Sequence, residues 1–159
     1  IAAGGGPPVL ASLGRPPRPH LAVLGRMPGT RQYRNLARHP YAETTPGVLI
    51  VRMDAQLYFA NMGFLRDALR DLEADMDEPL RATIIDASAM NQLDSSADAM
   101  LHDLLSTYEE RGIELLFAGT KGPVLDVMRA SGFYARLGLA SFCLDVEEAV
   151  QRAALRMAG

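Results

Sequence analysis

The decapeptide NQLDSSADAM, residues 91–100, sets Asp94, Ser95 and Ser96 in a row just ahead of a helical periodicity. A serine hydroxyl at such a place can accept a phosphoryl group, because free backbone N–H groups and the helix dipole favour an anion there. The same residue types also make an ordinary N-cap, in which Asp94 or Ser95 accepts a backbone N–H two or three residues on. A phosphate on Ser95 would gain about 0.3–1 kcal/mol from an exposed helix N-terminus. Repulsion from Asp94 and Asp98 works against that gain. Phosphoacceptor switch and plain helix cap therefore both stand as readings of Asp94, Ser95 and Ser96.

The pentapeptide GTKGP, residues 119–123, is the second candidate. Thr120, Lys121 and Gly122 at a helix start could present N–H groups and an ammonium to a phosphate, giving weak nucleotide or anion binding. The spacing is not that of a Gly-x-x-x-x-Gly-Lys-Ser/Thr loop, and a strand-to-helix turn is the simpler reading. Other chemistry finds no constellation. His20, His39 and His102 are widely spaced, with no His-x-x-x-His pair to seat a metal. Cys143 lies in an apolar run without a local histidine, as a buried structural thiol does. Asp54 and Asp86 fall at strand ends, yet nothing pairs them by spacing. The expectation is a non-enzymatic domain with no metal and no cofactor of its own, weak nucleotide binding aside.

Charge is distributed unevenly. The net charge of −3 conceals a lead-in of 42 residues holding six arginines (Arg15, Arg18, Arg26, Arg31, Arg34, Arg38) and no acid. The remainder sets ten basic residues against all nineteen acids, a balance of −9. A basic lead-in before an acidic body suits a domain hung just beneath a membrane, where arginines face anionic headgroups. A solvated arm would show the same pattern. Nucleic acid is disfavoured as a partner, since Tyr33 and Tyr41 are the lead-in's only aromatics and no nucleic-acid motif is recognisable. The 48% apolar content suits a packed core. No run of 18 apolar residues occurs, no secretory leader is expected from the order of residues at the start, and the single cysteine fits a reducing compartment.

The elements that must position these residues follow from periodicity. IAAGGGPP reads as a linker or cloning remnant, and order is expected from about His20. HLAVLG reads as a short strand, and the Pro- and Gly-broken stretch to Gly47 as one long connection with a docking role. VLIVRMD is a buried strand, QLYFA its hairpin partner or continuation, and Asn61 the cap of a helix carrying Leu65, Ala68, Leu69, Leu72 and Met76. RATIIDASA is a central strand. A helix from Ser95 ends at Gly112, IELLFAG is a strand, and TKGPVLDVMRASG is a short helix with Pro123 in its first turn. SFCLD is an edge strand, and Asp145 with Glu148 resembles a capping box for a closing helix. Strands alternating with helices predict an α/β fold, its sheet parallel where helical crossovers join the strands.

Strand, LDSSA, then amphipathic helix resembles the STAS fold, shared by anti-sigma factor antagonists and by the C-terminal domain of SulP (sulfate permease) anion transporters. In the antagonists the motif is Asp-Ser-Ser/Thr-Gly and its first serine is phosphorylated; that serine corresponds to Ser95, with Ala97 in place of the glycine. The stretch RPHLAVLGRMPGTRQYRNLARHPYAETTPGVLIVRMDAQLYFAN is similar to the lead-in of bacterial SulP transporters. The resemblance runs from about Arg18 to the end. It implies residues 1–17 as linker, residues 18–159 as a STAS domain, and a mixed central sheet with about four helices packed on it. The implied function is a cytoplasmic regulatory domain on the inner face of the plasma membrane. Its expected partners are its own transmembrane domain, cytosolic regulatory proteins and a second copy in a transporter dimer. Arg26, Arg31, Tyr33, Arg34 and Arg38 become the expected docking residues against the membrane domain. A free-standing anti-sigma antagonist phosphorylated at Ser95 is the alternative.

Overall fold

The run ATIID, residues 82–86, has an isoleucine for each face and is buried on both, as a strand covered by helices on each side is. In the computed structural model, which describes residues 21–54 and 59–159, this run is strand β4 (Ala82–Asp86), near the middle of a six-stranded sheet. The other strands are β1 (Leu21–Arg26), β2 (Tyr33–Asn35), β3 (Val48–Met53), β5 (Glu114–Ala118) and β6 (Phe142–Cys143). Their spatial order is β2-β1-β3-β4-β5-β6. The ladders β3–β4, β4–β5 and β5–β6 are parallel, whereas β1 is antiparallel to both β2 and β3. The sheet is mixed, and its parallel half is joined through helices.

Among the described residues five α-helices accompany it: α1 (Phe59–Ala74), α2 (Ser95–Arg111), α3 (Gly122–Ala130), α4 (Phe133–Leu137) and α5 (Val146–Ala158), with a 3-10 turn over Leu139–Ser141. Strand alternation sorts the core into two layers. Leu49, Val51, Met53, Ile85, Leu115 and Phe117 point to one face, where Leu65, Leu69, Leu101, Leu105, Val124, Met128 and Phe133 of α1–α4 cover them. Val48, Ile50, Ile84, Leu116 and Ala118 point to the other, covered by Val146, Ala149 and Ala153 of α5. Inside the larger layer the hydroxyls of Thr83 and Tyr108 meet at 3.0 Å, which satisfies both buried groups. Arg111 pairs with Glu73 and ties the end of α2 to α1.

Three local expectations change. The long connection holds strand β2, which pairs Leu24 with Asn35 and Arg26 with Tyr33. Of QLYFA, Gln56–Tyr58 lie outside the described residues, while Phe59 and Ala60 open α1 rather than continuing a strand. Asn61 is thus inside the helix, not its cap. Just past α3, Gly132 with φ of 83° turns the chain into the short α4.

Candidate functional site

The loops at the carboxyl ends of β4 and β5 carry both sequence candidates. Asp94 is the N-cap of α2, its backbone extended and its Oδ1 accepting the N–H of Ala97 at 2.7 Å. Asp94, Ser95 and Ser96 are all exposed, so the serine hydroxyls stand at the open N-terminus of a 17-residue helix. Across from them Lys121, at the N-cap position of α3, donates from Nζ to Asn91 Oδ1 at 2.7 Å. This bond brings the two candidate turns, residues 91–96 and 120–122, side by side at one end of the sheet. Gly122 is the exposed first residue of α3, and Lys121 makes no side-chain cap bond there. The turn opens without one, in keeping with Pro123 in the first turn, which has no N–H to satisfy.

Asp98 is not an exposed neighbour of the serines. It is 1% exposed on the core side of α2, with Oδ2 3.8 Å from His102 Nε2. Its Oδ1, like Thr120 Oγ1, is buried without a hydrogen-bond partner among the described residues. His102, on α2, packs against α4, its ring edge-on to Phe133 at 5.1 Å. Arg136 of α4 lies 3.2 Å from His102 Nδ1 and donates to the backbone oxygen of His102, to Ser106 Oγ and to Glu109 Oε1. The guanidinium has only donors, so in this contact His102 Nδ1 is the acceptor. A sequence signal for the burial of Asp98 existed: it shares the i, i+3, i+7 stripe of Leu101 and Leu105.

The lead-in residues separate into three kinds. Arg26 is at the base of the long connection and pairs with Glu43 at 3.5 Å. Tyr33 turns inward: its hydroxyl donates to Glu147 Oε2 at 2.8 Å, and burial, that bond and the carboxylate's charge all push its pKa upward. Arg31, Arg34 and Arg38 are exposed, and among the described residues none of them forms an ion pair. Arg15, Arg18 and His20 lie outside the described residues. Where the connection meets α5, a shallow cleft of about 230 Å³ is lined by Arg31, Tyr33, Asp86, Ser88, Asp145 and Glu147, among others.

The remaining candidates serve local structure. Asp86 Oδ1 accepts the N–H of Ser88, and Asp54 binds Arg52 at 2.7 Å. Cys143 is 6% exposed, and burial pushes its thiol pKa up, the reverse of what a nucleophile needs. Asp145 caps α5 by accepting the N–H of Glu148, and Glu148 reaches back to the N–H of Leu144, one residue beyond the usual capping-box partner. No helix among the described residues is long and apolar enough to cross a membrane.

Comparison with known proteins places this arrangement. The chain is 39% identical over 142 residues to the probable sulfate transporter 4.2 of Arabidopsis thaliana, a match covering 84% of this chain and 21% of that protein. It is 30% identical over 142 residues to the high affinity sulfate transporter 2 of Stylosanthes hamata, with the same coverage of each. The chain thus spans about a fifth of the length of these relatives. Among solved structures, that of SLC26A9 superposes with a TM-score of 0.80 at 20% identity, over 94% of this chain and 26% of that one. The anti-sigma factor antagonist SpoIIAA superposes with a TM-score of 0.57 at 15% identity, over 70% of this chain and 91% of that one. The family model of the STAS domain matches residues 39–149, and with the mixed sheet and helix layers described above, the chain belongs to the STAS domain family.

Proposed function

We propose that the chain is the C-terminal cytoplasmic domain of a SulP-type secondary transporter of a sulfate-like anion. It has no catalysis of its own and acts by docking on its own membrane domain at the inner face of the plasma membrane. The observation that carries this reading is the similarity to sulfate transporters over most of the chain. The connection between β1 and β3 is the docking element, held to the domain by Arg26 with Glu43 and by Tyr33 with Glu147, and presenting its exposed Arg31, Arg34 and Arg38 to the membrane side. Support of dimer assembly and the reception of cytosolic regulatory proteins are the roles open to the remaining surface.

The test replaces residues 27–42 with a two-residue Asn-Gly turn in the full-length parent protein. Arg26 and Glu43 exchange both backbone hydrogen bonds, a pair that such a turn can close. Labelled-sulfate uptake should fall while the isolated domain keeps its cooperative unfolding; undiminished uptake at equal expression would sink the docking role.

A second reading, an anti-sigma antagonist type of signalling protein phosphorylated at Ser95, is favoured by one observation: Ser95 is exposed at the open N-terminus of α2. Incubation with cell extract and labelled ATP, followed by phosphopeptide mapping, decides it. Equal label in wild type and Ser95→Ala removes this reading.

A further inference from the structure

Residues 27–42 form an excursion closed at its base, because Arg26 and Glu43 each donate a 2.8 Å N–H···O bond to the other. Within it the only charged side chains are Arg31, Arg34 and Arg38, and all three are exposed. Their one polar contact among the described residues is Arg34 to Gln32 Oε1 at 3.3 Å. Several arginines elsewhere in the domain do have carboxylate partners, Arg52 with Asp54, Arg136 with Glu109, Arg152 with Glu148 and Arg156 with Glu114, while Arg81 donates to the backbone oxygen of Met157. Three guanidinium groups without an ion-pair partner among the described residues, on a 16-residue loop, make a concentrated positive patch, with Arg31 also bordering the cleft that Asp86, Asp145 and Glu147 line.

The same excursion exposes an aromatic. Tyr41 is 64% exposed and is braced edge-on by His39 at a ring separation of 6.1 Å, whereas Tyr33 is turned in to Glu147. Arginines beside an exposed tyrosine match a membrane interface, where the guanidinium fork binds phosphate and the phenol spans the headgroup boundary. The rest of the domain favours the same orientation. Residues 43–159 carry −9, so an anionic surface repels the body and attracts this excursion.

We infer that residues 27–42 rest on anionic phospholipid headgroups, with Arg31, Arg34 and Arg38 on the phosphates and Tyr41 at the headgroup boundary. The inference rests on the transporter reading, which puts a bilayer beside the domain. An acidic protein segment is the competing partner, but it offers no counterpart for the exposed Tyr41.

The test uses the 159-residue chain, with Arg15 and Arg18 kept in every variant, and vesicles of phosphatidylglycerol with phosphatidylcholine or of phosphatidylcholine alone. Co-sedimentation at low salt should show binding to the anionic vesicles only, weakening as salt rises. The triple variant R31Q/R34Q/R38Q should lose about 100-fold in partition coefficient, and Tyr41→Ala a smaller factor. Circular dichroism verifies that each variant is folded. Equal binding by the triple variant, or binding of the wild type to neutral vesicles as strong as to anionic ones, overturns the inference. Uptake that depends on residues 27–42 without any vesicle binding overturns it too, while leaving the transporter reading in place. A parent protein without membrane segments defeats the transporter reading whatever the vesicles show.

Discussion

The Tyr33 hydroxyl donates a 2.8 Å hydrogen bond to Glu147 Oε2 across 114 residues of chain, pinning edge strand β2 to the first turn of α5. A three-residue strand holds little area of its own, so this bond and the packing of the Tyr33 ring on the α5 layer fix where the basic excursion leaves the sheet.

Tyr33→Phe should cost about 1 kcal/mol in urea unfolding, since Glu147 is only half-buried and can rehydrate. The pH dependence has a definite sign. The folded pKa of Tyr33 lies above its unfolded value of about 10. Its contribution is therefore fully present below pH 10 and is lost as pH rises above it. Tyr108 is shifted upward as well, chiefly by burial. The variant should accordingly show a shallower alkaline loss of stability than wild type, not a flat one; an unchanged limb contradicts the assignment.

At Gly25 the excursion packs tightly on β1. A Cβ there would stand 2.8 Å from Leu36 Cδ2, 3.0 Å from Glu43 O and 3.1 Å from Ala42 Cβ. Gly25→Ala should cost about 1–3 kcal/mol by overpacking and speed proteolysis within residues 27–42. Wild-type stability with unchanged protease resistance would count against this contact.

Tyr108→Phe leaves Thr83 Oγ1 buried without its partner and should cost about 1–3 kcal/mol. Adding Thr83→Val removes the orphaned group, so the double variant should recover much of that loss. A double-mutant cycle by denaturation measures the coupling; zero coupling would mean the two hydroxyls do not interact.

At the head of α2, Asp94→Ala should cost about 1 kcal/mol and Asp94→Asn much less, because the cap needs an acceptor for the N–H of Ala97. Ser95→Ala should change stability by less than about 0.5 kcal/mol. A larger loss at Ser95 than at Asp94 would reverse the assignment of the cap.

The central strands and long helices were legible because their signals are dense. ATIID and VLIVRM are short apolar runs, and α2 has a stripe from Ala97 to Tyr108 with Gly112 at φ 69° to end it. Strand β2 was not legible: YRN is three residues whose strand character comes from pairing with Leu24–Arg26 rather than from any pattern. Helix α4 was missed because five residues are too few to show a 3.6-residue period. At the candidate site, Asp94 as a cap was readable from type and position, and Asp98 from its stripe. The Lys121–Asn91 bond joins turns 30 residues apart, which no local pattern encodes. The division of the arginines into a paired Arg26 and an Arg31, Arg34 and Arg38 without ion pairs among the described residues depends on where Glu43 returns to β1.

Sequencing the parent gene upstream of the codon for Ile1 tests the transporter reading most directly. About ten or more apolar segments of roughly 20 residues are expected there, enough to build a membrane domain. A start codon close to His20, with no such segments before it, would contradict that reading and make Ser95 phosphorylation the first question.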